Sequence, residues 1–212
     1  MDPYIFDSRF SSYEIVAGVD EAGRGPLAGP VVAAAVVLPA NPRIKGLNDS
    51  KKLPPKARES LYLKILEVAL STSVSIVHHD IIDSINILAA TLRGMREAVA
   101  RLTVKPRLVI VDGNKKPESG VLEMAIIKGD GLSACIMAAG IVAKVTRDRI
   151  MVDLHKKYPQ YGFDSHKGYG AATHLEAIRK YGPCPVHRMS FEPLKSLNQE
   201  GLCAETVPGS LD

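Results

Sequence analysis

No stretch of the chain approaches the roughly 18 consecutive apolar residues of a membrane-spanning helix; the longest clean run covers residues 31–38. The opening residues Met1, Asp2, Pro3 and Tyr4 lack the basic stretch leading into an apolar core that marks a secretory signal. The expectation is a cytoplasmic protein with no membrane association, in which the sequon Asn48-Asp49-Ser50 never meets glycosylation machinery. Three cysteines, Cys135, Cys184 and Cys203, are odd in number and far apart, which excludes a disulfide framework and a CxxC metal clip. Cys184 and His187 have CxxH spacing, but without a second pair a zinc site is not expected. Tryptophan is absent, aromatic residues make up only 5% of the chain, and there is no internal repeat.

What is present suits a folded domain. With 46% apolar residues in 212, the chain can bury a sizeable core, which argues against a disordered or multi-domain assembly. The net charge of +4 is unevenly spread. Residues 144–188 hold nine Lys/Arg against four acids, so the rest of the chain sums to −1. Four of the six histidines lie in the same stretch, and six of the eleven aromatics fall within residues 158–191. Basic residues interleaved with aromatics suit a surface that tracks a nucleic-acid backbone; a charge run is also commonly just a solvated helix face.

Short β-branched runs at residues 15–19, 31–38, 74–77, 108–111 and 124–127 predict five buried strands. Helices are predicted over 54–70, over 84–102 with Asp83 or Ser84 as cap, over 133–158 up to Pro159, and over 173–181. Strands come early and helices gather late. This pattern indicates an α/β fold with a mixed sheet in one domain over 1–197, its helical part starting near 132, followed by a mobile tail over 198–212.

Three of the predicted strands end in acids: Asp20 and Glu21, Asp112, and Asp130. Strands ending at one edge of a sheet would gather these carboxylates, and like charges that close need cations. An all-oxygen site suits Mg²⁺ or Mn²⁺, and a pair of such ions suits phosphodiester displacement. An Asp after a strand is also ordinary turn chemistry. Adjacent residues of a regular strand face opposite sides, so bringing Asp20 and Glu21 together requires the strand to end there. The spacing Gly18-x4-Gly23 starts like a phosphate-binding loop but has Arg24-Gly25 where Lys-Ser/Thr is needed, and the segment leads through Pro26 and Pro30 into a strand. A sharp turn remains, with bare backbone at Gly23 and Gly25 and a cation at Arg24.

GVDEAGRGPLAGP at 18–30 resembles the N-terminal signature of the ribonuclease HII family, the type 2 ribonucleases H. The resemblance continues through NDSKKL at 48–53, VDG at 111–113, KGD at 128–130, AKVTRDR at 143–149, HKGYG at 166–170 and HRMSF at 187–191. It implies a ribonuclease H-like mixed five-stranded sheet flanked by helices, with a helical C-terminal part. It also implies an endonuclease that hydrolyses the RNA strand of RNA–DNA hybrids and incises duplex DNA 5′ to a single embedded ribonucleotide, leaving 3′-OH and 5′-phosphate ends. By the resemblance, Asp20, Glu21, Asp112 and Asp130 are the catalytic acids and the ligands of two Mg²⁺ or Mn²⁺ ions. Gly23, Arg24 and Gly25 are expected to contact the ribose 2′-OH, and Tyr169 to pack on the deoxyribose beside the junction. The resemblance also implies that Lys51 contacts phosphate, with Asn48 and Lys167 as weaker candidates for the same role, and that the protein acts as a monomer; read alone, Lys51-Lys52 is a solvated charge pair.

The chain departs from the family pattern after Asp130, with Gly131, Leu132, Ser133, Cys135 and Gly140 where Ala-Lys-Ser and a helix serine are usual. A glycine inside a helix costs roughly 1 kcal/mol relative to alanine, and loss of a lysine here predicts altered rate or ion preference with the reaction class unchanged. Lys144, Arg147, Asp148 and His155 share about one face of the long helix, Asp148 being read as an ion-pair partner. A non-catalytic hybrid-binding protein and a junction resolvase are the other readings of such a scaffold.

Overall fold

The computed structural model describes residues 2–199. Residues 200–212 of the expected mobile tail, with Cys203, lie outside the described residues, while 198–199 close a helix instead of opening the tail. Contacts divide the chain into two compact units, 1–24 with 30–149, and 25–29 with 150 onward.

The first unit begins with helix α1 (Pro3–Asp7) and a 3₁₀ turn (Ser8–Tyr13), neither foreseen from sequence. Strand β1 (Val16–Ala22) and strand β2 (Val31–Val37) follow, then α2 (Pro55–Val68), β3 (Ser71–Val77), α3 (His79–Ile85) and α4 (Ile87–Arg101). Strands β4 (Leu108–Asp112) and β5 (Leu122–Ile126), a 3₁₀ turn (Gly129–Gly131) and the long helix α5 (Ala134–Lys157) complete it, with residues 150–157 of α5 counted in the second unit. The strands form one sheet in the order β3-β2-β1-β4-β5. β1 pairs antiparallel with β2 and parallel with β4. This is the mixed five-stranded sheet expected from sequence.

Side-chain alternation along β1 divides the core. Ala17 and Val19 point with Ala33, Ala35, Val109 and Val111 to the face covered by Met95, Ala98 and Val99 of α4. Val16, Leu108 and Ile110 point the other way, onto Cys135 and Ile136 of α5. Gly18 lies on that second face, where a Cβ would fall 2.1 Å from the backbone of Cys135, so α5 rests directly on β1. The helix predicted over 84–102 is two. Asn86 interrupts it at φ 69, and its side-chain oxygen, instead of Asp83 or Ser84, caps α4 by accepting the Ala89 N–H at 3.0 Å.

The second unit contains α6 (Phe163–His166), α7 (Ala172–Tyr181) and α8 (Leu194–Gln199) around Leu27, Ala28, Met151, Tyr161, Phe163, Ile178 and Leu194. Residues 25–29 are threaded into it by main-chain bonds: Leu27 N–H to Gly168 O (2.8 Å), Gly29 N–H to Val186 O (2.9 Å) and Arg188 N–H to Leu27 O (2.8 Å). Among the described residues no helix is long and apolar enough to cross a membrane.

Candidate active site

The parallel register of β1 and β4 sets Val19 beside Val111, so Asp20 and Asp112 are the next residues along two neighbouring strands. Strand β1 does not end there: it runs on to Ala22, which overturns the expectation that the strand stops at the acids. Asp20 therefore faces α5, and Glu21 faces the α4 side. Asp20 is buried, its Oδ1 accepting the Glu21 N–H at 2.7 Å. Its Oδ2 lies under Gly140, where a Cβ would stand only 2.3 Å away. The fit follows from two rises: Gly18 to Asp20 advances about 7 Å along a strand, and Cys135 to Gly140 about 7.5 Å along a helix. Burial first, and then the charges of Glu21 and Asp112, push the Asp20 carboxyl well above its ordinary range.

Glu21 is held by Arg24 at 3.4 Å. Burial raises its pKa, Arg24 opposes that rise, and Asp112 adds to it. A cavity of about 200 Å³ on this side is lined by Glu21, Arg24, Leu88, Met95, Asp112 and Asn114 among others. Asp112 Oδ1 accepts the Asp130 N–H at 3.1 Å, which ties the 3₁₀ turn to the end of β4. Burial raises the Asp112 pKa, against the backbone bond from Asp130 and with the charge of Asp130. Asp130 pairs with Lys51 at 3.5 Å. Burial works to lower the Lys51 pKa, but the charges of Asp130, Asp20 and Asp49 outweigh it and raise the value.

Four carboxylates thus share one edge of the sheet, and the donor set is all oxygen. Among the described residues no three Asp, Glu, His or Cys side chains stand as a ready ion-binding group; the four acids are engaged by Arg24, Lys51 and main-chain N–H groups. Closing on a cation means exchanging those partners. The residues fit a hard divalent ion and not zinc.

Lys51 sits on a loop braced from behind. Arg58 donates from Nε to Ser50 O and from Nη2 to Leu53 O, both at 3.0 Å, and from Nη1 to Asp148 Oδ2 at 3.1 Å. Lys144 donates to the other oxygen of Asp148 at 2.7 Å. Asp148 is the ion-pair partner expected from sequence. Asn48 is on the same loop with its Oδ1 turned back to the Asp49 N–H (2.9 Å).

Gly23 has φ 98 and packs on Arg147, a Cβ there falling 2.0 Å from Arg147 Nε. Arg147 was expected on a polar helix face; it is wholly buried and donates to Pro30 O at 3.0 Å, bracing the turn after the acids. In the second unit Arg188, also wholly buried, donates to Gly29 O at 2.9 Å. That unit brings Gly25 and Tyr169 together, the ring Cε1 lying 3.6 Å from the position of a Gly25 Cβ. Tyr169 is half-exposed, and Lys167, at φ 52, donates to Asp164 O. Arg58, Gly140, Arg147 and Arg188 are the residues that sequence reasoning missed or misjudged. Their roles lie in tertiary contacts; only the RDR run at 147–149 and the HR pair at 187–188 carry a trace in sequence.

A mixed five-stranded sheet in the order β3-β2-β1-β4-β5, flanked by helices, is the architecture of the ribonuclease H-like class. A family model described as Ribonuclease HII matches residues 17–194. A ribonuclease HII from Idiomarina loihiensis is 54% identical over 183 residues, covering 86% of this chain and 98% of that protein. One from Delftia acidovorans is 57% identical over 180 residues, covering 85% and 77%. The crystal structure of the ribonuclease H2 from Pyrococcus horikoshii superposes with a TM-score of 0.74 at 30% identity, covering 88% of this chain and 98% of that one. The chain belongs to the ribonuclease HII family and is a ribonuclease.

Proposed function

We propose that the protein is an endonuclease that cuts the RNA strand of RNA–DNA hybrids and incises duplex DNA on the 5′ side of a single embedded ribonucleotide. The observation that carries this reading is that neighbouring strands bring Asp20 and Asp112 to one end of the sheet, where Asp112 accepts the Asp130 N–H, with Glu21 on the opposite face of β1. Asp20, Glu21, Asp112 and Asp130 would hold two Mg²⁺ or Mn²⁺ ions. When bound, such ions supply activation of the attacking water and neutralisation of the leaving 3′ oxygen. Lys51, beside Asp130, offers a cation to the phosphate. Gly23 and Gly25 present backbone to the 2′-OH with Arg24 between them, and Tyr169 offers a half-exposed ring to the adjoining deoxyribose. Asn48 and Lys167 are further backbone contacts, and the protein acts as a monomer.

The test uses three duplexes: all DNA, DNA with one ribonucleotide, and an RNA–DNA hybrid. Cleavage of the last two with 5′-phosphate products, and not of the first, is expected. Asp112→Asn abolishes that cleavage while the far-ultraviolet circular dichroism stays unchanged. Equal cutting of the all-DNA duplex would overturn the 2′-OH reading, and near-native cutting by the variant would remove the assigned acid.

A further inference from the structure

Three of the four histidines in the basic stretch lie together in the second unit, at a distance in sequence from every acid assigned above. His174 and His187 are essentially inaccessible. The rings of His166 and His174 stack at 4.5 Å with 17° between planes, and His187 lies 5.2 Å from His174, with Tyr161 and Phe163 packed around them.

The Tyr169 carbonyl can only accept, so His174 carries its proton on Nδ1 and donates it there at 2.8 Å. The neutral ring then accepts at Nε2, and the hydrogen between it and His187 Nε2, 3.1 Å away, belongs to His187. His187 Nδ1 is left to accept the Cys184 N–H at 2.9 Å, while the Cys184 carbonyl, 3.1 Å from the same nitrogen, is bonded by the His187 main-chain N–H at 3.0 Å. His166 is fixed in the same way: Gly168 N–H donates to Nδ1 at 3.2 Å, and Nε2–H donates to Tyr161 O at 2.7 Å. Burial lowers the His174 pKa and so favours the neutral ring that this pattern requires.

The chain of donors ends on the loop that carries Tyr169. Residues 167–170 belong to no regular helix or strand, and Lys167 and Gly168 both have positive φ. Tyr169 is 47% exposed, so burial of its own ring does little to fix it. Its carbonyl is held by His174, the preceding N–H by His166, and the Gly168 carbonyl by the Leu27 N–H at 2.8 Å. We propose that His174, oriented by His187 and assisted by His166, is a positioning residue that sets the Tyr169 backbone and thereby the ring presented to the sugar beside the scissile ribonucleotide. This rests on the reading of Tyr169 as a substrate contact.

The test is steady-state cleavage of a duplex carrying one ribonucleotide. His174→Phe keeps the ring volume and removes both hydrogen bonds; KM is expected to rise about tenfold, with kcat changing by less than about threefold. His174→Asn, whose amide N–H replaces Nδ1–H, is expected to recover most of the loss. Combined with Tyr169→Ala, which raises KM by itself, His174→Phe is expected to add nothing further. An equal penalty in both backgrounds would overturn the proposal and leave the role of Tyr169 standing. If Tyr169→Ala leaves KM unchanged, the substrate reading of Tyr169 fails first and the positioning role falls with it. Nitrogen-15 spectra of the imidazoles in the wild-type protein require no variant to fold. They should show Nδ1–H on His174 and Nε2–H on His166 and His187, and any other pattern rules the donor chain out.

Discussion

A methyl group at position 140 would land 2.3 Å from Asp20 Oδ2, well inside contact distance. Gly140 is therefore the reason a buried carboxylate can lie against α5, and the usual ranking of alanine over glycine in helices is reversed in consequence. Gly140→Ala should favour the helix by roughly 1 kcal/mol in isolation, yet lower the cleavage rate by about 100-fold, because a displacement on the order of 1 Å at a reacting centre carries that cost. Rates measured on well-folded protein check this, and an unchanged rate would mean that Asp20 has room to move. The residue shows where legibility stops. The four acids stand out as candidates in the sequence because residue type and strand position together announce them. Gly140 was readable only as an oddity, since its value depends on which strand the helix crosses.

At the level of elements, the loop bearing Lys51 is held by α2 and α5 through the partly buried Arg58–Asp148–Lys144 group, whose side chains are 12%, 19% and 20% exposed. Asp148→Ala leaves two cations facing each other, and its unfolding free energy should fall by about 3 kcal/mol in urea titrations, with little relief from added salt. The helical unit carries its own pH dependence. Burial lowers the His174 pKa from the ordinary 6.5. The unfolded chain therefore takes up a proton that the folded protein refuses, so stability is complete above about pH 6.5 and is lost as pH falls below it. Between pH 7.5 and 5.5 the urea midpoint of the wild-type protein should therefore lose ground relative to that of His174→Asn, and parallel pH profiles would remove this contribution. Strand and helix types were legible from periodicity, but their limits were set by geometry. The break at Asn86 depends on a positive φ that the i, i+3, i+4 pattern of apolar residues runs straight through. β1 continues past its acids because six consecutive residues pair with β2.

Across the whole molecule the small net charge of +4 divides into a basic stretch over residues 144–188 and an acidic sheet edge. Binding of a polyanion by such a stretch releases counterions, so KM for duplex substrates should climb steeply with salt while kcat changes little. Lys167→Ala should reduce the logarithmic salt slope by about one unit, and an unaltered slope would remove Lys167 from the contact surface. The charge division was plain in the sequence. That Arg147 and Arg188 belong to the interior, as struts for the segment at 23–30, was not, because a buried arginine and a solvated one are written alike. One more consequence follows from β1 having a carboxylate on each face. Such a strand behaves as a crossbar: rolling it about its long axis advances Asp20 as it withdraws Glu21, or the reverse. No single twist of the sheet can then draw both oxygens inward together. Side-chain torsions, which are independent for the two residues, can turn both carboxylates without moving the strand.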